Sequence, residues 1–333
     1  MTRPARIWIG VVVAAALILG FAATIGPPPP TPNPPGSFSF AVLGDAPYQA
    51  WEEIQHRLVI REIDSHNLSW AIHIGDIFWR PCTDEMYART LELFTSLRHP
   101  VIYTPGDNEW YDCWEPASGS YDPLERFARI RQVFFSSPAR SLGMRSLTLV
   151  SQAGSARFAE FAENVRWTHE GVVFLTVHLI GTRNGTEPFP TRTEADGAAA
   201  IRRTEAAAAW LREAFAEARA ANASAVVVAF HGNPKFEDPA GEPYRQAFEP
   251  FISALEEETE RFGRPVLAAH GDFHEFVVDH PLVRRTTGRR LDNFTRLQVP
   301  GSPRVGWVRV VVTPGAASPF AFEDLVLPRW KYW

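Results

Sequence analysis

Three short segments constrain this chain more than anything else in it: Gly44-Asp45-Ala46-Pro47-Tyr48, Gly75-Asp76-Ile77-Phe78 and Gly106-Asp107-Asn108-Glu109. Each follows an apolar run that reads as a buried strand, Phe38 to Leu43, Trp70 to Ile74 and Val101 to Thr104. Asp76 lies thirty-one residues after Asp45, and Asp107 thirty-one after Asp76. A helix-like stretch fills each gap. Gln49 to Ser65 carries Trp51, Ile54 and Leu58 at helical spacing, and Asp84 to Leu97 carries Met86, Leu93, Phe94 and Leu97. A strand-helix-strand unit needs roughly thirty residues and returns the chain to the same edge of a parallel sheet. Ligands of open α/β sheets bind beyond the edge where the strands end. The spacing therefore delivers three aspartates to one rim, each behind a glycine that lets the backbone turn sharply. Carboxylates brought together repel unless something positive holds them, so the pattern predicts bound metal.

Two later segments extend it: His231-Gly232-Asn233-Pro234 after the strand-like Ala225 to Phe230, and Gly271-Asp272-Phe273-His274 after Val266 to Ala269. With five blocks in this order, the stretch from Phe38 to Asp279 resembles the calcineurin-like metallophosphoesterases. Their blocks read G-D-x-H, G-D, G-N-H-E/D, a lone His and G-H-x-H. The resemblance implies an α/β (α+β) fold, a four-layer αββα sandwich of two mixed β-sheets flanked by helices. It also implies two divalent metal ions that clamp a phosphate-containing substrate while an activated water attacks phosphorus. Carried over residue by residue, Asp45 and His274 hold one metal, Asp76 bridges, and Asp107, His231 and Asp272 hold the other. Glu109 and Asn233 become partners that orient the ligands.

The departures from the family pattern matter. Pro47 stands where the family has a ligating His and cannot ligate. Tyr48, one position on, either replaces it as a phenolate favouring ferric iron or serves as a packing residue. Asp272 stands where the family has His, and His270, two residues earlier, is an alternative nitrogen ligand. An oxygen-rich set favours Mn²⁺, Mg²⁺ or Fe over Zn²⁺. Asn108 occupies the position of a family His that stabilises the transition state and protonates the leaving oxygen. An amide hydrogen-bonds a phosphoryl oxygen but delivers no proton. Loss of the acid costs on the order of 10²–10⁴ in rate for poor leaving groups, which points toward anhydrides or activated esters. Alternatively His178, near the end of the strand-like Val172 to Leu179, supplies the catalytic imidazole; its other reading is a satisfied structural histidine. The expected function is hydrolysis of a phosphomonoester, diester or anhydride. The rival is a catalytically impaired protein of this fold that binds a phosphate-bearing ligand or envelope component.

The remaining features concern location and periphery. Cys82 and Cys113 are the only cysteines, and each lies six residues after a motif aspartate. If those aspartates are neighbours, the cysteines leave the rim in parallel and a disulfide is expected; two buried thiols are the alternative. Arg3 and Arg6 precede an uncharged, mostly apolar run of 19 residues, Ile7 to Ile25, within the roughly 17–25 needed to span a bilayer. Residues 1–26 read as a signal or anchor segment, with Gly20-Phe21-Ala22 an available cleavage point, 27–36 as a Pro-rich linker and 37–333 as the phosphoesterase-like domain. The body is then exported: periplasmic, tethered outward by the N-terminal segment if it is uncleaved, or secreted. A net charge of −5 and a pI near 6.1 carry no nucleic-acid-binding signature. Arg284, Arg285, Arg289 and Arg290 read as a solvated hairpin loop or as a phosphate contact beside the rim. Ser136 to Arg157 is expected to cover the site, and the strands after His274 to be antiparallel. His73 is expected in the core, and His56, His66, His99 and His280 at exposed element ends. Trp79, Trp110, Tyr111 and Trp114 line the cleft mouth or pack around the disulfide. Substrate identity and oligomeric state leave no trace in the sequence.

Overall fold

The computed structural model describes residues 31–327. The expected signal or anchor segment and the first four residues of the Pro-rich linker lie outside the described residues, among which no helix is long and apolar enough to cross a membrane. The chain begins with β1 (Phe38–Leu43), α1 (Ala50–Ser65), β2 (Ala71–His73), α2 (Asp84–Ser96), β3 (Val101–Tyr103) and α3 (Pro123–Phe134). It continues through β4 (Val150–Ser151), β5 (Val165–His169), β6 (Val172–Thr176), α4 (Glu194–Ala220), β7 (Ala225–Ala229), α5 (Glu249–Phe262) and β8 (Val266–His270). Four strands close it, β9 (Val277–Asp279), β10 (Phe294–Gln298), β11 (Gly306–Val312) and β12 (Phe320–Val326).

The helices start where local chemistry satisfies their free N–H groups. Thr83 accepts from Met86 N at α2, Asp122 from Leu124 and Glu125 N at α3, and Thr193 with Asp196 forms a capping box at α4. One sheet has the order β12-β11-β1-β2-β3 and the other β4-β5-β6-β7-β8-β10-β9. Strand alternation then builds the layers. On β1, Phe38, Phe40 and Val42 enter the core between the sheets, where they meet Phe174, Val227 and Leu297. Ala41 and Leu43 face the other way, onto Val59, Ile60 and Ile63 of α1. The second sheet puts Val226 and Val228 against Leu211, Phe215 and Leu255 of α4 and α5. The result is the expected αββα sandwich.

β1, β2 and β3 run parallel, as do β6, β7, β8 and β10, so both sheets direct strand ends to a common rim. Here one expectation is corrected: β10 pairs parallel to β8, and only its other edge, to β9, is antiparallel. The reason is burial on both faces. Phe294 enters the helix-side core and Leu297 the inter-sheet core, which requires an interior strand.

The segment Ser136–Arg157 does not cover the rim. Leu142 bridges to Val101, Met144 N donates to Leu97 O (2.7 Å), and Arg145 Nε to Arg98 O (3.0 Å), all at the end where β3 begins. His56 and His99 are buried rather than exposed; Arg145 lies 2.6 Å from His99 Nδ1 and covers that ring. The arginine cluster is spent on carboxylates: Arg284 on Glu260 (3.0 Å), Arg285 on Glu249 (3.5 Å), Arg289 on Glu260 (3.5 Å) and Arg290 on Asp292 (2.8 Å).

Cys82 and Cys113 form a disulfide with Cα atoms 5.8 Å apart, across a separation of 31 residues. Closing a loop of that length contributes about 3–4 kcal/mol in the chain-entropy model. Cys82→Ala/Cys113→Ala should therefore lower stability by about that amount in urea titrations. Two alkylatable thiols on the unreduced protein would refute the bridge.

Candidate metal centre

Six side chains proposed from the sequence converge at the rim. Asp45, Asp76 and His231 form one group with ligand atoms within 4.8 Å of one another, and Asp107, His231 and Asp272 form a second. His274 adjoins the first, its Nε2 3.6 Å from Asp45 Oδ1. By geometry alone the shared residue is His231, whereas family analogy gives the bridge to Asp76. The two imidazoles are oriented alike. His231 Nδ1 donates to Ile74 O (2.9 Å) and His274 Nδ1 to Ser302 O (2.7 Å). A carbonyl only accepts, so each ring carries its proton on Nδ1 and aims Nε2 at carboxylates. His231 Nε2 lies 2.9 Å from Asp107 Oδ1 and 3.4 Å from Asp76 Oδ1. This is how metal-ligating imidazoles are held.

The carboxylates are fixed by the backbone of neighbouring loops. Asp45 Oδ1 accepts from Asp272 N (2.9 Å), and Asp76 Oδ1 from Asp107 N and Asn108 N (both 3.1 Å). Asp107 Oδ1 accepts from Gly181 N (3.1 Å), and Asp272 Oδ2 from Asn233 N (3.0 Å). Asp45, Asp76, Asp272 and His274 themselves take left-handed backbone angles, with φ of 55°, 51°, 76° and 61°. The turn thus falls on the functional residue, and Asp tolerates it better than most. The glycine of the third block serves close approach instead: a Cβ on Gly106 would sit 2.1 Å from Asp76 Oδ1.

Electrostatics here are unbalanced. Burial, reinforced by Asp107, Glu109 and Asp45, pushes Asp76 well above the usual carboxylate range. Asp45 is also raised by burial, and Asp272 is pushed up to about 6 by burial and Asp107. Burial likewise raises Asp107, but hydrogen bonds from His231 and Thr182 outweigh it and leave that carboxyl low. His231 is raised well above the ordinary imidazole range by Asp76 and Asp107, against the opposing effect of burial. Asp45 Oδ2 is buried without a hydrogen-bond partner. An excess of negative charge, an orphaned carboxylate oxygen and two pre-oriented imidazoles fit divalent metal.

Other proposed residues fall into place or away from it. Tyr48 OH donates to Asp76 Oδ2 (2.5 Å), and burial and Asp76 keep its phenol protonated. Glu109 accepts from Asp76 N (3.1 Å), Gly106 N (2.7 Å) and Tyr103 OH (2.7 Å); Asn233 Nδ2 donates to Gln298 Oε1 (2.8 Å). Asn108 lines the open cleft above the cluster, about 390 Å³ in volume, together with Tyr48, Trp79 and His274. His178 does not line it. Its Nδ1 is drawn inward to Glu163 Oε1 (3.1 Å), its ring packs on Phe127 and Trp110, and burial lowers it to about 4. His270 is outside both ligand groups, stacked on Phe230. Trp110 is buried, while Trp79 reaches the cleft.

Sequence reasoning missed Thr182, whose hydroxyl donates to Asp107, and Tyr244, whose OH donates to Asp272 Oδ2 (3.0 Å). Thr182 lies in Gly181–Gly185, where three successive residues, Thr182, Arg183 and Asn184, adopt left-handed angles. Its position just after a parallel strand was the available signal. Tyr244 had none.

The fold and this rim define a protein of the calcineurin-like metallophosphoesterase fold. Among solved structures, that of PhoD is similar, with a TM-score of 0.51, 12% identity, and coverage of 90% of this chain and 70% of that one. TT1561 of Thermus thermophilus has a TM-score of 0.43, 11% identity and coverage of 86% and 98%. A protein serine/threonine phosphatase from Saccharomyces cerevisiae with similarity to human phosphatase PP5 has a TM-score of 0.33, 10% identity and coverage of 89% and 82%. No family model and no curated protein sequence matches the chain.

Two outcomes follow. Gly106→Ala should displace Asp76 and reduce bound metal at least severalfold by elemental analysis, with circular dichroism unchanged. Protons compete with metal for the raised carboxylates, so affinity should fall as pH drops through about 6, the value for Asp272, by about tenfold per unit for each competing proton. Equilibrium dialysis at pH 5 and 7.5 measures this; equal retention at both would contradict it.

Proposed function

We propose that this chain is an exported, metal-dependent phosphohydrolase whose site is the carboxylate–imidazole rim. The observation that carries the reading is the matched pair of imidazoles, each proton-fixed by a carbonyl on Nδ1 and presenting Nε2 to buried carboxylates. Asp45 and His274 would hold one cation, Asp107, His231 and Asp272 a second, with Asp76 between them. Four carboxylates against two imidazoles favour Mn²⁺, Mg²⁺ or Fe over Zn²⁺. Bound cations supply the charge that draws in a phosphate and lower the pKa of a water nucleophile.

The chain's own residues then set the limits of the chemistry. Asn108 makes no side-chain hydrogen bond to another described residue and lines the cleft, free to donate its amide N–H to a phosphoryl oxygen. Tyr48 keeps its proton and orients Asp76. His178, buried on Glu163, does not reach the cleft to act as the leaving-group acid. The site is therefore suited to leaving groups that depart without a proton, such as anhydrides and activated esters. The disulfide accords with an oxidising, exported location.

The test is hydrolysis of p-nitrophenyl phosphate and bis-p-nitrophenyl phosphate with added Mn²⁺. Chelation and Asp76→Asn should each reduce turnover by at least about 10²-fold, and equal rates in wild type and variant would remove Asp76 from the chemistry. Asn108→His should raise turnover of an alkyl phosphate about 10-fold or more while changing the nitrophenyl ester less, since only the former needs a proton. Asn108 also favours a second reading, a phosphate-binding protein without turnover. Metal and phosphate binding with no hydrolysis of either ester would establish that reading instead.

A further inference from the structure

A second concavity lies on the helix-covered face of the first sheet and shares no lining residue with the metal cleft. It is about 270 Å³ in volume, walled by α1 and α2, with His73 of β2 in its lining. Ile77, Phe78, Leu93 and Phe94 make most of its apolar wall. Two imidazoles, His56 and His73, interrupt that wall, their ring centroids 6.3 Å apart. They are 5% and 1% exposed, and His56 Nε2 and both ring nitrogens of His73 have no hydrogen-bond partner.

The large majority of buried side-chain polar atoms in folded proteins are hydrogen-bonded, to protein or to ordered water. Three nitrogens without a protein partner, on two residues that line one cavity, mark it as a place where an occupant gains hydrogen bonds. Burial pushes His56 down to about 4 and His73 well below the ordinary imidazole range, so both rings are neutral at physiological pH. A neutral imidazole offers one N–H and one lone pair. Glu53, Arg57, Arg89 and Glu92 also line the cavity, two of each sign, with Arg89 paired to Glu53 (2.8 Å), so a charged occupant meets no net countercharge, and a wholly apolar one would leave the nitrogens orphaned.

We propose that this cavity is a binding site for a small uncharged molecule with an apolar ring and one hydroxyl group. The ring lies against Phe78, Leu93 and Phe94, and the hydroxyl lies between His56 and His73. A hydroxyl donates one hydrogen bond and accepts others, so it serves a lone pair on one imidazole and an N–H on the other. The wall also includes Pro47, two residues after Asp45, and Ile77-Phe78, directly after Asp76. An occupant thus packs against the segments that carry two of the proposed metal ligands, although the binding itself does not depend on any activity at the rim.

The experiment titrates the full chain with phenol and with toluene, a near-isostere lacking the hydroxyl. Phenol should raise the melting temperature in a dose-dependent way and bind at least about tenfold more tightly than toluene, the factor expected of a buried hydrogen bond. Imidazole ¹⁵N resonances of His56 and His73 should move with phenol while those of His231 and His274 stay. His73→Phe should cut the preference for phenol to below about twofold. Equal affinity for the two probes, no binding of phenol, or unmoved His56 and His73 nitrogens would each overturn the proposal. The wild-type readouts decide the matter even if the variant fails to fold.

Discussion

Four carboxylates are gathered at one rim with little water around them, and their mutual repulsion is the constraint the rest of the structure answers. At an effective dielectric near 20, two such charges about 4 Å apart repel by about 4 kcal/mol. The chain offsets this with peptide N–H groups. The loop after β8 donates to Asp45, the loop after β3 to Asp76, the turn after β6 to Asp107, and the loop after β7 to Asp272. Each carboxylate is thus held by the backbone of another motif loop or of its own neighbour in space. In the case of Asp45 the donor loop belongs to the opposite sheet. The two sheets are locked at the rim by the same contacts that assemble the site.

That locking requires unusual backbone. Asp45, Asp76, Asp272 and His274 sit in the left-handed region, as do three successive residues beside Asp107. Strain of this kind persists only where surrounding structure over-determines it, and here the interleaved hydrogen bonds do so. Beneath the rim, Cys82 and Cys113 tie the segments following Asp76 and Asp107, and Tyr103 and Gly106 pin Glu109, which in turn holds the backbone of Asp76. The negative charge that remains, with Asp45 Oδ2 unpaired, suits the rim to cations.

Much of this was legible in the sequence for a plain reason: a glycine-aspartate pair after an apolar run, repeated at the length of one crossover unit, has few other uses. The strands Phe38–Leu43, Ala71–His73 and Val101–Tyr103 and the helix Asp84–Ser96 lie where periodicity put them. Reading failed where position along the chain says nothing about depth. His178 ends a strand at the correct rim, yet Glu163, from a segment packed behind it, turns the ring inward. His56 and His99 occupy element ends that other segments cover. Ser136–Arg157, expected over the site from its position in the chain, bonds instead to the far end of β3.

The sequence by itself determined that Asp45, Asp76 and Asp107 meet, because crossover length carries successive strand ends to one edge, and resemblance to a known pattern added His231, Asp272 and His274. It also determined the departures at Pro47, Asn108 and Asp272, which are matters of identity alone. Only the tertiary structure decided how those residues face one another. It placed the protons of His231 and His274 on Nδ1, recruited Thr182 and Tyr244 to the carboxylates, and kept His270 and His178 out of the cleft. Those outcomes depend on carbonyls, hydroxyls and rings contributed by distant segments. Hydrogen-bond direction and burial are set by packing in three dimensions, which no local pattern encodes.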